Sequence, residues 1–232
     1  MAGSPQALEL EGKGKMDLEK ARFNMIEQQI RPWDVLDQEI LDLLAVVKRE
    51  QFVPQAYAAL AFVDMEIPLP AGQNMLAPRV EARLLQDLNV RKHENVLEIG
   101  AGSGYMAALL ANRARHVLTV EIVPELAELA RQNLAAAGVS NAEVAEGNGA
   151  EGWAAAAPYD VICVSGSVPE IPQALLSQVK VGGRIAVIVG DAPVMEARII
   201  TRTSESGYQS VNLFETLVKP LQGAAQPSRF QF

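Results

Sequence analysis

The run Val96-Leu97-Glu98-Ile99, followed by Gly100-Ala101-Gly102-Ser103-Gly104-Tyr105, limits what this chain can fold into more than any other stretch. Apolar residues around one acid read as a buried strand, three glycines at alternate positions as a tight turn, and Met106-Ala107-Ala108-Leu109-Leu110 as the helix that follows. In an open α/β sheet the ligand crevice lies beyond the carboxyl ends of the strands, where such a turn bends into its helix, and glycines there let a ligand approach the backbone. The spacing narrows the ligand class. Gly100-x-Gly102-x-Gly104 is not the G-x-G-x-x-G that turns a helix N-terminus onto a pyrophosphate, and no G-K-[ST] follows it. A nucleoside without phosphates therefore fits better than NAD or ATP. Glu121 ends a second apolar run, Val117-Leu118-Thr119-Val120, about twenty residues beyond the first strand, as expected for an acid that binds ribose hydroxyls.

The rest of the chain supports one such sheet. Its 232 residues, 49% hydrophobic, are ample for a single core. A net charge of −8 argues against nucleic-acid partners, which are usually met by a basic face. The single cysteine, Cys163, lies in the apolar run Val161-Ile162-Cys163-Val164; it reads as a core residue and points to a reducing, cytoplasmic compartment. No apolar run is long enough to span a membrane. Residues 1–15 read as a disordered leader or an artificial extension ahead of a second methionine, Met16.

From Asp17, a candidate N-cap, Leu18, Phe23, Ile26 and Ile30 recur at helical spacing up to Arg31-Pro32. Leu36, Ile40, Leu43, Leu44 and Val47 form the stripe of a second helix closed by Phe52-Val53-Pro54, and the two helices read as a cap. Residues 67–78 read as a Pro- and Gly-rich loop leading into a helix with Val80, Leu84, Leu85 and Leu88; from this loop Gln73 and Asn74 can reach over the crevice. After Glu121 come a helix begun by Pro124 and ended at Gly138, a weak strand at 142–145, and the turn Gly147-Asn148-Gly149, whose amide suits a purine edge. A fourth strand at 160–164, a loop at 165–169, a helix through Leu175 and Val179, a Gly182-Gly183 turn and a fifth strand at 184–189 follow. This alternation predicts a parallel sheet covered on both faces, and the runs 197–203 and 211–218 predict a closing antiparallel pair. His93 and His116 have no metal-ligand partner at suitable spacing and read as surface or strand-end residues, with no metal site expected. Trp153 reads as a packing anchor. Ser165 and Ser167 follow the fourth strand, a usual place for substrate contacts, and no G-x-S-x-G elbow marks a nucleophile.

The glycine turn, the acid ending the second strand and the Asx turn after the third resemble the class I S-adenosylmethionine-dependent methyltransferases. Met25-Ile26-Glu27-Gln28-Gln29-Ile30, Lys48-Arg49-Glu50-Gln51-Phe52-Val53-Pro54, Val123-Pro124-Glu125-Leu126-Ala127, Gly149-Ala150-Glu151-Gly152-Trp153 and Pro169-Glu170-Ile171-Pro172 are similar to segments of the protein-L-isoaspartate O-methyltransferases. The resemblance extends from about Asn24 to Leu221. It implies an α/β, Rossmann-like doubly wound sheet, mostly parallel with a C-terminal antiparallel pair, in a single domain over 16–232 whose N-terminal helical cap occupies about 16–76. It also implies S-adenosyl-L-methionine as donor, with S-adenosyl-L-homocysteine as product. By position, Glu98, Gly100, Gly102 and Gly104 line its methionine end, Glu121 holds the ribose, and Asn148 with Gly149 meets the adenine. Gln73, Asn74, Met75, Leu76 and Ser165 fall on the substrate side. The implied partners are isoaspartyl peptides or proteins, and the implied state a monomer.

Two positions depart from the family pattern. Asn148 stands where an aspartate is usual, and its amide oxygen still accepts a hydrogen bond from an adenine amino group. The loop that normally reads Gln-Thr-Ile-Ser reads Gln73-Asn74-Met75-Leu76, so the family's active-site serine is a leucine and no catalytic residue is assigned. The reaction itself needs no general base, because a carboxylate with a pKa of about 4 is already ionised at neutral pH. Losing one orienting hydroxyl costs about 1–3 kcal/mol, or about ten- to a few hundred-fold in rate. Three readings remain: methylation of the α-carboxyl of L-isoaspartyl residues in damaged proteins, methylation of a small acid or hydroxyl acceptor, or a catalytically silent S-adenosylmethionine-binding protein.

Overall fold

A computed structural model describes residues 17–226; the expected leader at 1–15 and the tail at 227–232 lie outside the described residues. Helix α1 (Leu18–Met25) begins where Asp17 accepts a hydrogen bond from the Lys20 N–H at 3.1 Å. It then widens into a π-turn (Ile26–Ile30) and tightens into a 3₁₀ turn (Arg31–Trp33). This change of pitch corrects the expected apolar stripe. Phe23 and Leu18 point to solvent, while Arg22, Met25, Ile26 and Ile30 are buried. Helix α2 (Gln38–Val46) buries Ile40, Leu41 and Leu44 but leaves Leu36, ahead of its first turn, exposed. The loop expected at 67–78 contains a small hairpin: β1 (Ile67–Pro68) pairs with β2 (Asn74–Met75) around the turn Pro70–Gly72.

Helix α3 (Pro78–Leu88) carries the expected inner face of Val80, Leu84, Leu85 and Leu88. The central units follow as β3 (Asn95–Ile99), α4 (Tyr105–Arg113), β4 (His116–Glu121), α5 (Pro124–Ala136), β5 (Ala142–Glu146) and β6 (Tyr159–Val168). Next are α6 (Gln173–Ser177), β7 (Val179–Asp191), β8 (Val194–Arg202) and β9 (Tyr208–Thr216). Among the described residues these strands form a seven-stranded sheet in the order β5-β4-β3-β6-β7-β8-β9, parallel through β7 and antiparallel beyond it. Successive side chains of β3 and β6 enter opposite cores: Val96, Val161 and Cys163 on one face, Leu97, Ile162 and Val164 on the other. Met25, Ile30, Ile40 and Leu44 of the N-terminal segment pack into the first of these with α3 and α4.

Three more boundaries move. Residues 165–168 are not a loop but the end of β6, which shifts register between Cys163 and Ser167. The helix through Leu175 ends at Ser177, so Val179 starts β7 and the Gly182-Gly183 pair lies inside that strand. A Cβ at Gly183 would come within 2.6 Å of the Asp160 carbonyl oxygen, so this close backbone crossing needs a glycine rather than a turn.

Gly104 caps α4 at φ +85°, and a Cβ there would lie 3.2 Å from the Ala130 carbonyl oxygen of α5. Gly104→Ala is expected to cost about 1–3 kcal/mol of stability through backbone strain, read as a lower midpoint in chemical denaturation.

Candidate active site

The chain leaves β3 for β4 on one side and returns as β6 on the other, so the sheet's switch point opens above β3. Gly100 follows that strand and donates its N–H to the Val120 carbonyl at 2.9 Å. Glu121, 5% exposed at the end of β4, accepts the Gly102 N–H on Oε2 at 2.9 Å and the Val123 N–H on Oε1 at 3.0 Å. Its carboxylate is thereby fixed before any ligand arrives, and each oxygen keeps a lone pair for a hydroxyl.

A cleft lies against these groups at the carboxyl ends of the strands, where ligands of such sheets are held. Gly100, Gly102 and Glu121 form one side of it, Gly149 and Ala150 another. A Cβ at Gly149 would stand 3.1 Å from Ile99 and Val120, and one at Gly102 would stand 3.3 Å from Leu69. The bare backbone keeps this space open. Asn148 is exposed and turned onto its own loop, where Oδ1 accepts the Ala150 N–H at 2.9 Å; the wall beside it is formed by Gly147, Gly149 and Ala150. Trp153 packs under Gly147, in the anchoring role expected of it.

On the opposite side the β1–β2 hairpin brings Gln73, Asn74 and Leu76 to the cleft, while Met75 turns inward at 4% exposure. Asn74 Nδ2 donates to Glu66 Oε2 at 2.7 Å. Glu66 also faces the cleft, and its other oxygen is buried without a partner. Leu76 is held from behind: Arg49, fully buried, donates from Nη2 to the Leu76 carbonyl at 2.7 Å, from Nε to the Ala61 carbonyl at 3.1 Å, and from Nη1 to Glu81. Burial raises the Glu81 carboxyl to about 7 against the pull of Arg49.

Behind Leu76 a smaller cavity is lined by Glu81, Glu98, Tyr105 and Ser165. Glu98 is wholly buried on β3; its Oε2 lies 2.7 Å from Thr119 Oγ1 and its Oε1 2.8 Å from Ser165 Oγ. Burial pushes its carboxyl up to about 8, although both hydroxyls pull the other way. The third side is closed by residues 217–223, which sequence reading did not single out. Ser167 N–H donates to the Lys219 carbonyl at 3.2 Å, Leu221 N–H donates to the Ser167 carbonyl at 2.9 Å, and Lys219 Nζ bonds the Gly72 carbonyl of the hairpin turn. Leu221 fills the space beside Gly100 and Gly166. His116, expected at the surface, is half exposed and 3.9 Å from Glu143, and Cys163 is a buried free thiol whose pKa is raised by burial.

A doubly wound sheet with a glycine turn unsuited to pyrophosphate, and a buried acid fixed at the end of β4, is the arrangement of the S-adenosyl-L-methionine-dependent methyltransferases, the class to which the family match assigns this chain. Comparison with known proteins narrows the class. Residues 20–223 match the protein-L-isoaspartate(D-aspartate) O-methyltransferase family, and the chain belongs to it. It is 40% identical to a Rhodopseudomonas palustris protein-L-isoaspartate O-methyltransferase over 201 residues, covering 86% of this chain and 92% of the relative. A Marinobacter nauticus protein-L-isoaspartate O-methyltransferase 2 is 38% identical over 212 residues, 91% of this chain and 97% of its own. The fold superposes on a solved protein-L-isoaspartate O-methyltransferase with a TM-score of 0.75 at 24% identity, spanning 89% of this chain and 66% of the other. A Plasmodium falciparum structure described as a protein-L-isoaspartate O-methyltransferase in complex with S-adenosyl-L-homocysteine gives 0.74 at 18% identity, over 87% and 98%.

Proposed function

We propose that this enzyme methylates the α-carboxylate of L-isoaspartyl residues in damaged proteins, with S-adenosyl-L-methionine as donor. The observation that carries this reading is the junction of a cleft built around Glu121 with a hairpin wall built from residues 73–76, in a chain of this family. Gly100 and Gly102 serve the methionine end of the donor, Glu121 the ribose and Gly149 the adenine side; Glu98 supports the wall from behind through Ser165, Gly104 turns the chain into α4 against α5, and Asn148 holds the turn beside Gly149. S-adenosyl-L-methionine supplies a sulfonium methyl whose carbon–sulfur bond breaks as the acceptor oxygen bonds the carbon, so the two charges cancel and no proton moves. The chain's own task is alignment, which in well-oriented systems lowers the barrier by about 7–11 kcal/mol. The hairpin and the strap wall the site against water, and the Arg49 anchor fixes where Leu76 stands. Residues 16–232 act as one methyltransferase domain in this reading. The excess of acidic over basic groups supports a protein acceptor over a nucleic acid, the buried lone thiol supports a cytoplasmic location, and the family resemblance supports a monomer.

The test is methyl transfer from labelled S-adenosyl-L-methionine to an isoaspartyl peptide, with its aspartyl twin as control. Labelling of the isoaspartyl peptide alone is expected. No labelling, in a preparation shown to bind S-adenosyl-L-homocysteine, overturns the reading. A second reading rests on Leu76, whose side chain puts an apolar wall where the family has a hydroxyl: a small, partly apolar acid as acceptor. A panel of such acids in the same assay distinguishes the two.

A further inference from the structure

Leu76 presents no hydrogen-bond donor to the cleft, so an acceptor carboxylate bound beside it needs one from another wall. Among the described residues, Ser165 is the one hydroxyl side chain in the wall of the cofactor cleft, and it also borders the small cavity behind Leu76. Tyr105 and Ser103 line only the inner cavity and are buried. We propose that Ser165, oriented by the buried carboxyl of Glu98, donates the hydrogen bond that positions the acceptor carboxylate in this enzyme. The inference rests on carboxylate methylation as proposed above and names the residue that selects for it.

The orientation follows from the hydrogen-bond inventory. Glu98 touches two hydroxyls, at 2.7 Å from Thr119 and 2.8 Å from Ser165. If the carboxyl is ionised, both hydroxyls must donate to it, and Ser165 presents only lone pairs to the cleft, which repel a carboxylate. If it is protonated on Oε1, it donates to Ser165 Oγ, Thr119 donates to Oε2, and the Ser165 proton is free for the acceptor. Burial favours the second state: the Glu98 pKa is raised to about 8, so the protonated form prevails at neutral pH. The titratable groups around Glu98 are Glu81 on α3, Tyr105 on α4, Glu121 on β4 and Cys163 on β6, with Arg49 paired to Glu81. Glu81 and Glu121 add negative charge when ionised and raise Glu98 further. The sign is therefore fixed: acceptor binding weakens as pH rises through the Glu98 pKa. The acceptor itself, ionised above about 4, contributes no alkaline limb.

The experiment measures kcat and KM for an isoaspartyl peptide across pH 6–9.5 in four full-length proteins: wild type, Ser165→Ala, Ser165→Ala with Leu76→Ser, and Glu98→Gln. Binding of S-adenosyl-L-homocysteine is measured for each. The expected result for Ser165→Ala is a rise of at least about tenfold in peptide KM, the cost of one hydrogen bond to a charged group. S-adenosyl-L-homocysteine affinity should change much less. Leu76→Ser should recover a large part of that loss by returning a hydroxyl from the other wall. The wild type should lose kcat/KM above about pH 8, and Glu98→Gln, whose amide donates to Ser165 at every pH, should lack that limb. Wild-type labelling with an unchanged Ser165→Ala KM, or an alkaline limb that survives in Glu98→Gln, overturns the inference and leaves the proposed function standing. A wild type that labels no carboxylate acceptor overturns both.

Discussion

Glu121→Ala is expected to weaken S-adenosyl-L-homocysteine binding by about 100-fold or more, measured by titration calorimetry. The carboxylate is 5% exposed and already fixed by the Gly102 and Val123 N–H groups, so a ribose bound there would need no reorganisation of it. Two hydroxyl hydrogen bonds to a carboxylate are together worth about 3–6 kcal/mol, which sets the scale of the loss. A second contribution adds to it. The same side chain ties the glycine turn to β4, and its removal leaves two backbone N–H groups without their acceptor. Glu121→Gln, which retains one acceptor oxygen, should lose less. An affinity for Glu121→Ala within threefold of wild type would show that the ligand is held elsewhere.

The largest stability effect is expected at Arg49→Met. This guanidinium is wholly enclosed and joins three segments, through the Ala61 carbonyl, the Leu76 carbonyl and Glu81. Replacing it strands a buried carboxylate and two carbonyls, a loss of about 3–5 kcal/mol. For a domain of this size that corresponds to a fall of about 6–20 °C in the thermal midpoint. Protonation of Glu81 softens the loss, since its pKa of about 7 already lies within reach of mildly acidic buffers. The deficit of Arg49→Met should therefore shrink as pH falls from 8 to 5. A pH-independent deficit would show that the carbonyl bonds, not the ion pair, dominate. Replacing both partners, as Arg49→Met with Glu81→Leu, should recover part of the stability and little of the activity, because the carbonyl that sets the Leu76 position still lacks its donor.

The cleft wall at the ends of β3, β4 and β5 is legible in the sequence because its signals are local. A glycine turn, the acid one strand later and the Gly147-Asn148-Gly149 turn each lie within a few residues, and backbone geometry alone ties them to the ends of β3, β4 and β5. The opposite wall is assembled from far-apart pieces. Arg49 and Glu81 are separated by 32 residues, Glu98 and Ser165 by 67, and Lys219 and Gly72 by 147. No periodicity reports such pairs. Arg49 lay in plain view within the segment 48–54 that carried the family resemblance, yet its role depends on α3 and the hairpin closing around it. The wrong stripe on α1 has a different cause. A 3.6-residue period was assumed across Ile26–Ile30, where the helix widens to a π-turn and rotates the buried face toward Arg22 and Met25. Residues 165–168 were misjudged because Ser-Gly-Ser suggests a turn, whereas the register shift in β6 lets small residues continue the strand beneath the strap.

That strap bears on how the cleft opens. Residues 217–223 follow β9, and they supply Leu221 beside Gly100 and the Lys219 tie to the hairpin. The cleft is therefore closed by a segment that belongs to no strand of the sheet, so loosening of that segment alone can open the cleft while the sheet stays paired.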